Sequence, residues 1–145
     1  MRIINPARPN MNTSPAFPPA RGSVAPKPRR FLYVEDFPSL RELLEVVLTG
    51  DGHELTCAAN GLEAIELVLA NPHAFDFVIT DHEMPTMNGV ELVTALRSLN
   101  FRGRIIILSA ALTPEIEEAY QNLRVDCVLA KPISPLVLRT LLDTF

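Results

Sequence analysis

From Arg30 onward the apolar positions of the chain fall into two alternating kinds of run. Short unbroken ones suit strands covered on both faces, and longer ones with apolar residues three and four apart suit helices. "FLYVED" predicts a first strand and "PSLRELLEVVLTGDG" a first helix, with Leu40, Leu43, Leu44, Val47 and Leu48 at helical spacing. Pro38 suits its first turn and Gly50 or Gly52 its stop. "HELTCAA" predicts the second strand, and "NGLEAIELVLANP" a helix with Leu62, Ile65 and Leu69 inward and Pro72 beyond its end. "FDFVITD" and "GVELVTALRSLN" form the third strand and helix. "GRIIILSA" is the fourth strand, whose three consecutive isoleucines imply burial on both faces. Thr113 and Pro114 open a fourth helix that runs to about Leu123; "VDCVLAKP" is the fifth strand, and "SPLVLRTLLDTF" a last helix opened by Ser134 and Pro135.

Five strands alternating with five helices describe an α/β domain with a parallel sheet covered on both faces. Right-handed crossovers favour a flavodoxin-like, doubly wound five-stranded sheet in the order 2-1-3-4-5, with the first and last helices on one face. The domain spans residues 30–145, and residues 1–29 read differently. The first 30 residues hold six basic residues and no acid, whereas the remainder holds seven basic and all 17 acidic residues, so +6 faces −10. Seven of the 13 prolines also lie before Arg29, with no apolar periodicity among them. This composition predicts a flexible, extended basic arm, either a plain linker or a contact for an acidic partner. No apolar run is long enough for a membrane span and no signal-peptide pattern is present, so a cytoplasmic protein without membrane insertion is expected. Cys57 and Cys127 sit far apart in apolar runs and read as free thiols.

In a parallel sheet, ligands bind beyond the carboxyl ends of the strands. There the sequence places Glu35 and Asp36 after strand one, Asp81 after strand three, Ser109 after strand four and Lys131 after strand five. Each has a plain reading alone: a helix cap for Glu35 or Asp36, a turn former for Asp81, a buried hydroxyl for Ser109, a solvated cation for Lys131. Together they form a set. Three clustered carboxylates raise one another's pKa and call for positive charge among them. A hard cation with oxygen ligands, Mg²⁺ above all, would supply it beside Lys131. Metal, lysine, hydroxyl and a free carboxylate are the parts of phosphoryl transfer, with Asp81 as nucleophile.

The acidic pair "ED", the segment "TDHEMPTMNG", "ILSA" and "AKP", in this order, resemble a two-component response-regulator receiver domain over about Phe31 to Phe145. The resemblance implies a phosphorelay in which Asp81 accepts a phosphoryl group from a histidine kinase or phosphotransfer protein. It implies Mg²⁺ on the Asp36 and Asp81 side chains and the Glu83 backbone carbonyl, with Glu35 acting directly or through water. Phosphoryl oxygens would meet the Ser109 hydroxyl, the Lys131 ammonium and the Ala110 N–H, and the Lys131–Pro132 peptide would be cis. It implies a phosphoacceptor signalling domain rather than an enzyme, although one that catalyses its own phosphorylation and dephosphorylation. Phosphorylation would draw Ser109 inward and carry the loop before helix four with it.

Two positions set this chain apart. Val128 stands three residues before Lys131, where many receivers carry an aromatic switch partner of the serine, and Tyr120 on helix four does not match that position. Glu83 puts a carboxylate near the reaction centre, either tuning phosphate lifetime or pointing to solvent. His82 reads as a flank, its side chain alternating away from Asp81, and with His53 and His73 it forms no metal motif. Output is expected through an unknown downstream protein; nucleic acid is not expected as a partner, and a weak homodimer is compatible with the sequence. The alternatives are a pseudo-receiver that binds without being phosphorylated and a phosphohydrolase of the haloacid-dehalogenase type. A nucleotide binder of this fold would need a glycine-rich phosphate loop, and the six glycines do not cluster.

Overall fold

The computed structural model describes residues 1–4 and 27–145. Its elements in chain order are β1 (Arg2–Ile4), β2 (Arg30–Val34), α1 (Pro38–Gly50), β3 (Glu54–Ala58), α2 (Gly61–Ala70), β4 (Phe77–Asp81), α3 (Gly89–Ser98), β5 (Arg104–Ser109), α4 (Pro114–Asn122), β6 (Cys127–Ala130) and α5 (Pro135–Leu142). All strand pairs are parallel, and the sheet order is β1-β6-β5-β4-β2-β3. The strands β3-β2-β4-β5-β6 reproduce the expected order 2-1-3-4-5. The sixth strand was not expected: Arg2–Ile4, within the segment read as an arm, pairs with Cys127, Val128 and Leu129 at the sheet edge. Three residues are too few to show a side-chain period, and the pairing is made by backbone groups that every sequence carries. Residues 5–26, the rest of the expected arm, lie outside the described residues.

Alternation along the strands sorts the core into two layers. Leu32, Val34, Val78, Ile105, Ile107 and Val128 face α2, α3 and α4. Phe31, Tyr33, Phe77, Ile79, Ile106, Leu108 and Cys127 face α1 and α5. Helix α1 buries Leu44, Val47 and Leu48 but leaves Leu43 exposed. In α2 only one of the three expected inward residues holds: Ile65 packs partly buried against the core, whereas Leu62 and Leu69 are exposed, and Gly61, Ala64 and Val68 are buried. That helix carries apolar residues around much of its circumference, so spacing alone admits more than one inward face. The sheet selects the stripe with the smaller side chains.

Four helices are capped in the same way. Asn60, Asn88, Thr113 and Ser134 accept hydrogen bonds from the backbone N–H groups of Glu63, Glu91, Ile116 and Val137. Helix α1 has Phe37 at its cap position and no side-chain cap. The carboxylates just before it are used elsewhere, as described below.

Aspartates fasten the opposite, amino edge of the sheet. Asp126 accepts from the Ile105 N–H at 2.8 Å and from Arg104 at 3.0 Å. Asp76 accepts from the Arg30 N–H at 2.8 Å and from two nitrogens of the Arg30 guanidinium, joining β2 to the entry of β4. The Arg30 side chain's hydrogen bond holds the Asp76 carboxyl below its usual range, against a smaller opposing effect of burial. Both groups are nearly half exposed, so solvent screens much of this gain. A carboxyl held low in the folded state stabilises above its ordinary value of about 4 and ceases to do so as pH falls through the lowered one. Asp76→Asn should therefore lower the urea midpoint at pH 7, and the gap to wild type should close as pH is taken below about 4, measured by urea unfolding at a series of pH values.

Candidate functional site

The five residues expected at the carboxyl edge do converge there. Glu35 follows β2, Asp81 ends β4, Ser109 ends β5 and Lys131 follows β6. Glu35, Asp81 and Ser109 are buried, and Asp36 is half-buried. Lys131 Nζ lies 2.8 Å from Asp81 Oδ2 and 3.2 Å from Glu35 Oε2, so one ammonium spans two strand ends. The Lys131–Pro132 peptide is cis, as the resemblance implied. Glu35 also accepts from the Tyr33 hydroxyl and from the Phe37 N–H, each at 3.3 Å. Its role is in the site rather than as a side-chain cap of α1.

One lysine does not neutralise three carboxylates. Glu35, Asp36 and Asp81 each present an oxygen such that all three lie within 4.8 Å of one another. Asp36 Oδ1 is buried and has no hydrogen-bond partner among the described residues. A buried, unpaired carboxylate oxygen is costly unless something positive meets it. This donor set, all oxygen and all carboxylate, fits a hard divalent cation such as Mg²⁺. The Asp81 carboxyl is raised to about 6: burial pushes it up most, the Lys131 hydrogen bond and charge pull it back, and the Glu35 charge adds to the rise. Burial alone would lower the Lys131 ammonium, but Asp81 and Glu35 together carry it above its usual value.

The turn after Asp81 closes as its sequence suggests, with the Glu83 N–H donating to Asp81 Oδ1 at 3.3 Å. The Glu83 side chain does not point idly to solvent. Its carboxylate accepts from the Ser109 hydroxyl at 2.7 Å and from the Ala110 N–H at 3.3 Å. Burial pushes the Glu83 carboxyl up, but hydrogen bonds, that of Ser109 foremost, outweigh it and hold the group below its usual value.

Val128 is fully buried in the layer beneath α4, with Tyr120 in the same cluster. Tyr120 is fully buried, and its hydroxyl lies 2.6 Å from His82 Nδ1. The two rings meet edge to face at 5.5 Å. His82 does face away from Asp81, onto α4, as strand alternation requires. Burial, then the Glu83 and Asp81 charges, push the Tyr120 phenol upward. The sequence reading missed this link between the end of β4 and α4. A signal was present in Gly89: a Cβ there would collide with the Tyr120 hydroxyl and would lie 3.0 Å from both the Asp81 carbonyl oxygen and His82 Cα.

A doubly wound α/β domain that gathers acidic residues, a hydroxyl and a lysine at the carboxyl ends of its strands has the architecture of a phosphorelay receiver. The family model described as response regulator receiver domain matches residues 31–143, and the chain belongs to that family. It is 36% identical over 106 residues to a response regulator receiver protein of Anaeromyxobacter sp. strain Fw109-5, covering 73% of this chain and 44% of that one. It is 34% identical over 119 residues to the sensory/regulatory protein RpfC of Xanthomonas campestris pv. campestris, covering 79% of this chain and 16% of that one. The chain thus spans less than half the length of these relatives. Among solved structures, chemotaxis protein CheY4 of Vibrio cholerae superposes with a TM-score of 0.75 at 29% identity, covering 81% of this chain and 98% of that one. Among the described residues, no helix is long and apolar enough to cross a membrane.

The packing around Gly89 yields a direct test. Gly89→Ala should cost roughly 1–3 kcal/mol through overpacking, and part of that loss should disappear in a Tyr120→Phe background, where the colliding hydroxyl is gone. Urea unfolding of the two single variants and the double variant measures this coupling.

Proposed function

We propose that the chain is a phosphoacceptor: Asp81 takes a phosphoryl group from a phosphohistidine on a histidine kinase or phosphotransfer protein and signals to a partner protein. The observation that carries this reading is a buried carboxylate at a strand end, 2.8 Å from a lysine ammonium, beside two further carboxylates. An Asp81 oxygen attacks phosphorus, forming a P–O bond as the P–N bond of the donor breaks, and the departing imidazole takes a proton from solvent. Glu35, Asp36 and Asp81, with the Glu83 carbonyl, would hold Mg²⁺, which when bound would neutralise charge on the transferred group. Lys131 screens phosphoryl and aspartate oxygens, and Ser109 and Ala110 present an O–H and an N–H to the phosphoryl oxygens. Water attack at phosphorus returns the Asp81 carboxylate and inorganic phosphate, so the chain takes part in its own turnover without acting on another substrate. The site is flanked by exposed Phe37, next to Asp36, and by an apolar hollow of about 420 Å³ between α1 and the turn into α5, which Lys131 and Ala110 help to line. Such a surface suits docking of a protein donor.

Intact mass after incubation with Mg²⁺ and acetyl phosphate tests the reading. A phosphate adduct is expected for wild type and none for Asp81→Asn. Asp36→Asn should shift the Mg²⁺ dependence of labelling to higher concentrations. Absence of any adduct favours a pseudo-receiver, and donor turnover without an adduct favours a phosphohydrolase.

A further inference from the structure

Two groups assigned above to phosphoryl oxygens are already engaged by an anion of the chain itself. The two oxygens of the Glu83 carboxylate take the Ser109 O–H at 2.7 Å and the Ala110 N–H at 3.3 Å, one donor each. A phosphoryl group on Asp81 would need the same two protons, and each donor has only one to give. Two anions crowded at that spot would also repel. We propose that Glu83 is a built-in stand-in for the phosphoryl group, seated on Ser109 and Ala110 while Asp81 is unmodified and expelled when the phosphoryl group arrives. This rests on the phosphoacceptor reading of Asp81.

The surroundings permit the exchange. Glu83 is an exposed residue of the turn before α3, so its carboxylate can swing into water without crossing the core. Ser109 is not stranded when it leaves, since its hydroxyl lies 3.0 Å from the Ala111 carbonyl oxygen and accepts from the Ala111 N–H at 3.3 Å. Two consequences follow physically. The incoming group meets an internal competitor and binds more weakly than the donors alone would allow. The turn between β5 and α4 is also held in an anion-bound arrangement beforehand, so modification exchanges one anion for another instead of drawing Ser109 in from a distance.

The full chain, Glu83→Ala, Glu83→Gln and Asp81→Asn are titrated with beryllium fluoride in the presence of Mg²⁺, using fluorine NMR for affinity and amide NMR for the Ala110 N–H. Glu83→Ala should bind the analogue about tenfold or more tightly, as expected for removal of a competitor held by charge-assisted hydrogen bonds. Glu83→Gln should fall between, because a neutral amide oxygen still accepts but no longer repels, and it carries the test should the alanine variant not fold. Without analogue, the Ala110 N–H resonance should lie downfield in wild type, move upfield in Glu83→Ala and return when the analogue is added. Equal or weaker binding by both variants overturns the proposal. So does tighter binding with an unmoved Ala110 resonance, which would mean that Glu83 acts through charge alone. No analogue binding by wild type or either Glu83 variant, alike with Asp81→Asn, would overturn the phosphoacceptor reading itself and the proposal with it.

Discussion

The Lys131 ammonium between Asp81 and Glu35 is the interaction on which the carboxyl edge depends. Burial makes the Asp81 carboxyl reluctant to ionise, and the nearby Glu35 charge adds to that. A single cation from the end of β6, reaching past β5, meets both carboxylates at once. Removing such a cation would leave buried charge uncompensated, which costs far more than the pair's net contribution when intact. The parallel sheet makes the arrangement attainable, because every strand delivers its last residue to the same edge. The part of the charge that Lys131 leaves uncancelled, concentrated at Asp36, is what suits the edge to a divalent cation.

The same edge explains an irregularity in the helices. Among the described residues, four of the five open on a side chain that accepts a backbone N–H, whereas α1 opens on Phe37 with none. The two acidic residues that could have served it are turned into the site, Glu35 toward Lys131 and Tyr33, and Asp36 toward the carboxylate cluster. A local rule of helix construction is broken where the acidic residues gather at the carboxyl edge, and the other helices keep theirs.

On the other face the site connects to α4 by packing. His82 and Tyr120 meet across the layer, and Gly89 leaves the room that the phenol needs. Val128, small and buried, lies in the same cluster. The aromatic ring absent from β6 thus has a counterpart approaching from α4, hydrogen-bonded to the residue next to Asp81. Together with the Glu83 bonds to Ser109 and Ala110, this ties both α4 and the end of β5 to the turn that follows β4.

Much of this was legible in the chain. Unbroken apolar runs marked β2, β4, β5 and β6, proline and cap residues marked most helix starts, and the spacing of Glu35, Asp36, Asp81, Ser109 and Lys131 named the site, because strand ends in a parallel sheet share one edge. Such properties are carried by each residue's own polarity and backbone preference. The pairing of Arg2–Ile4 with β6, the choice of Ala64 and Val68 over Leu62 and Leu69 as the buried stripe of α2, the Tyr120 to His82 contact and the seat of Glu83 were decided only in three dimensions. Each depends on which distant surface a residue meets: backbone pairing has no side-chain signature, a helix apolar all round has no unique inward face, and a carboxylate's partner is whichever donor the fold brings near.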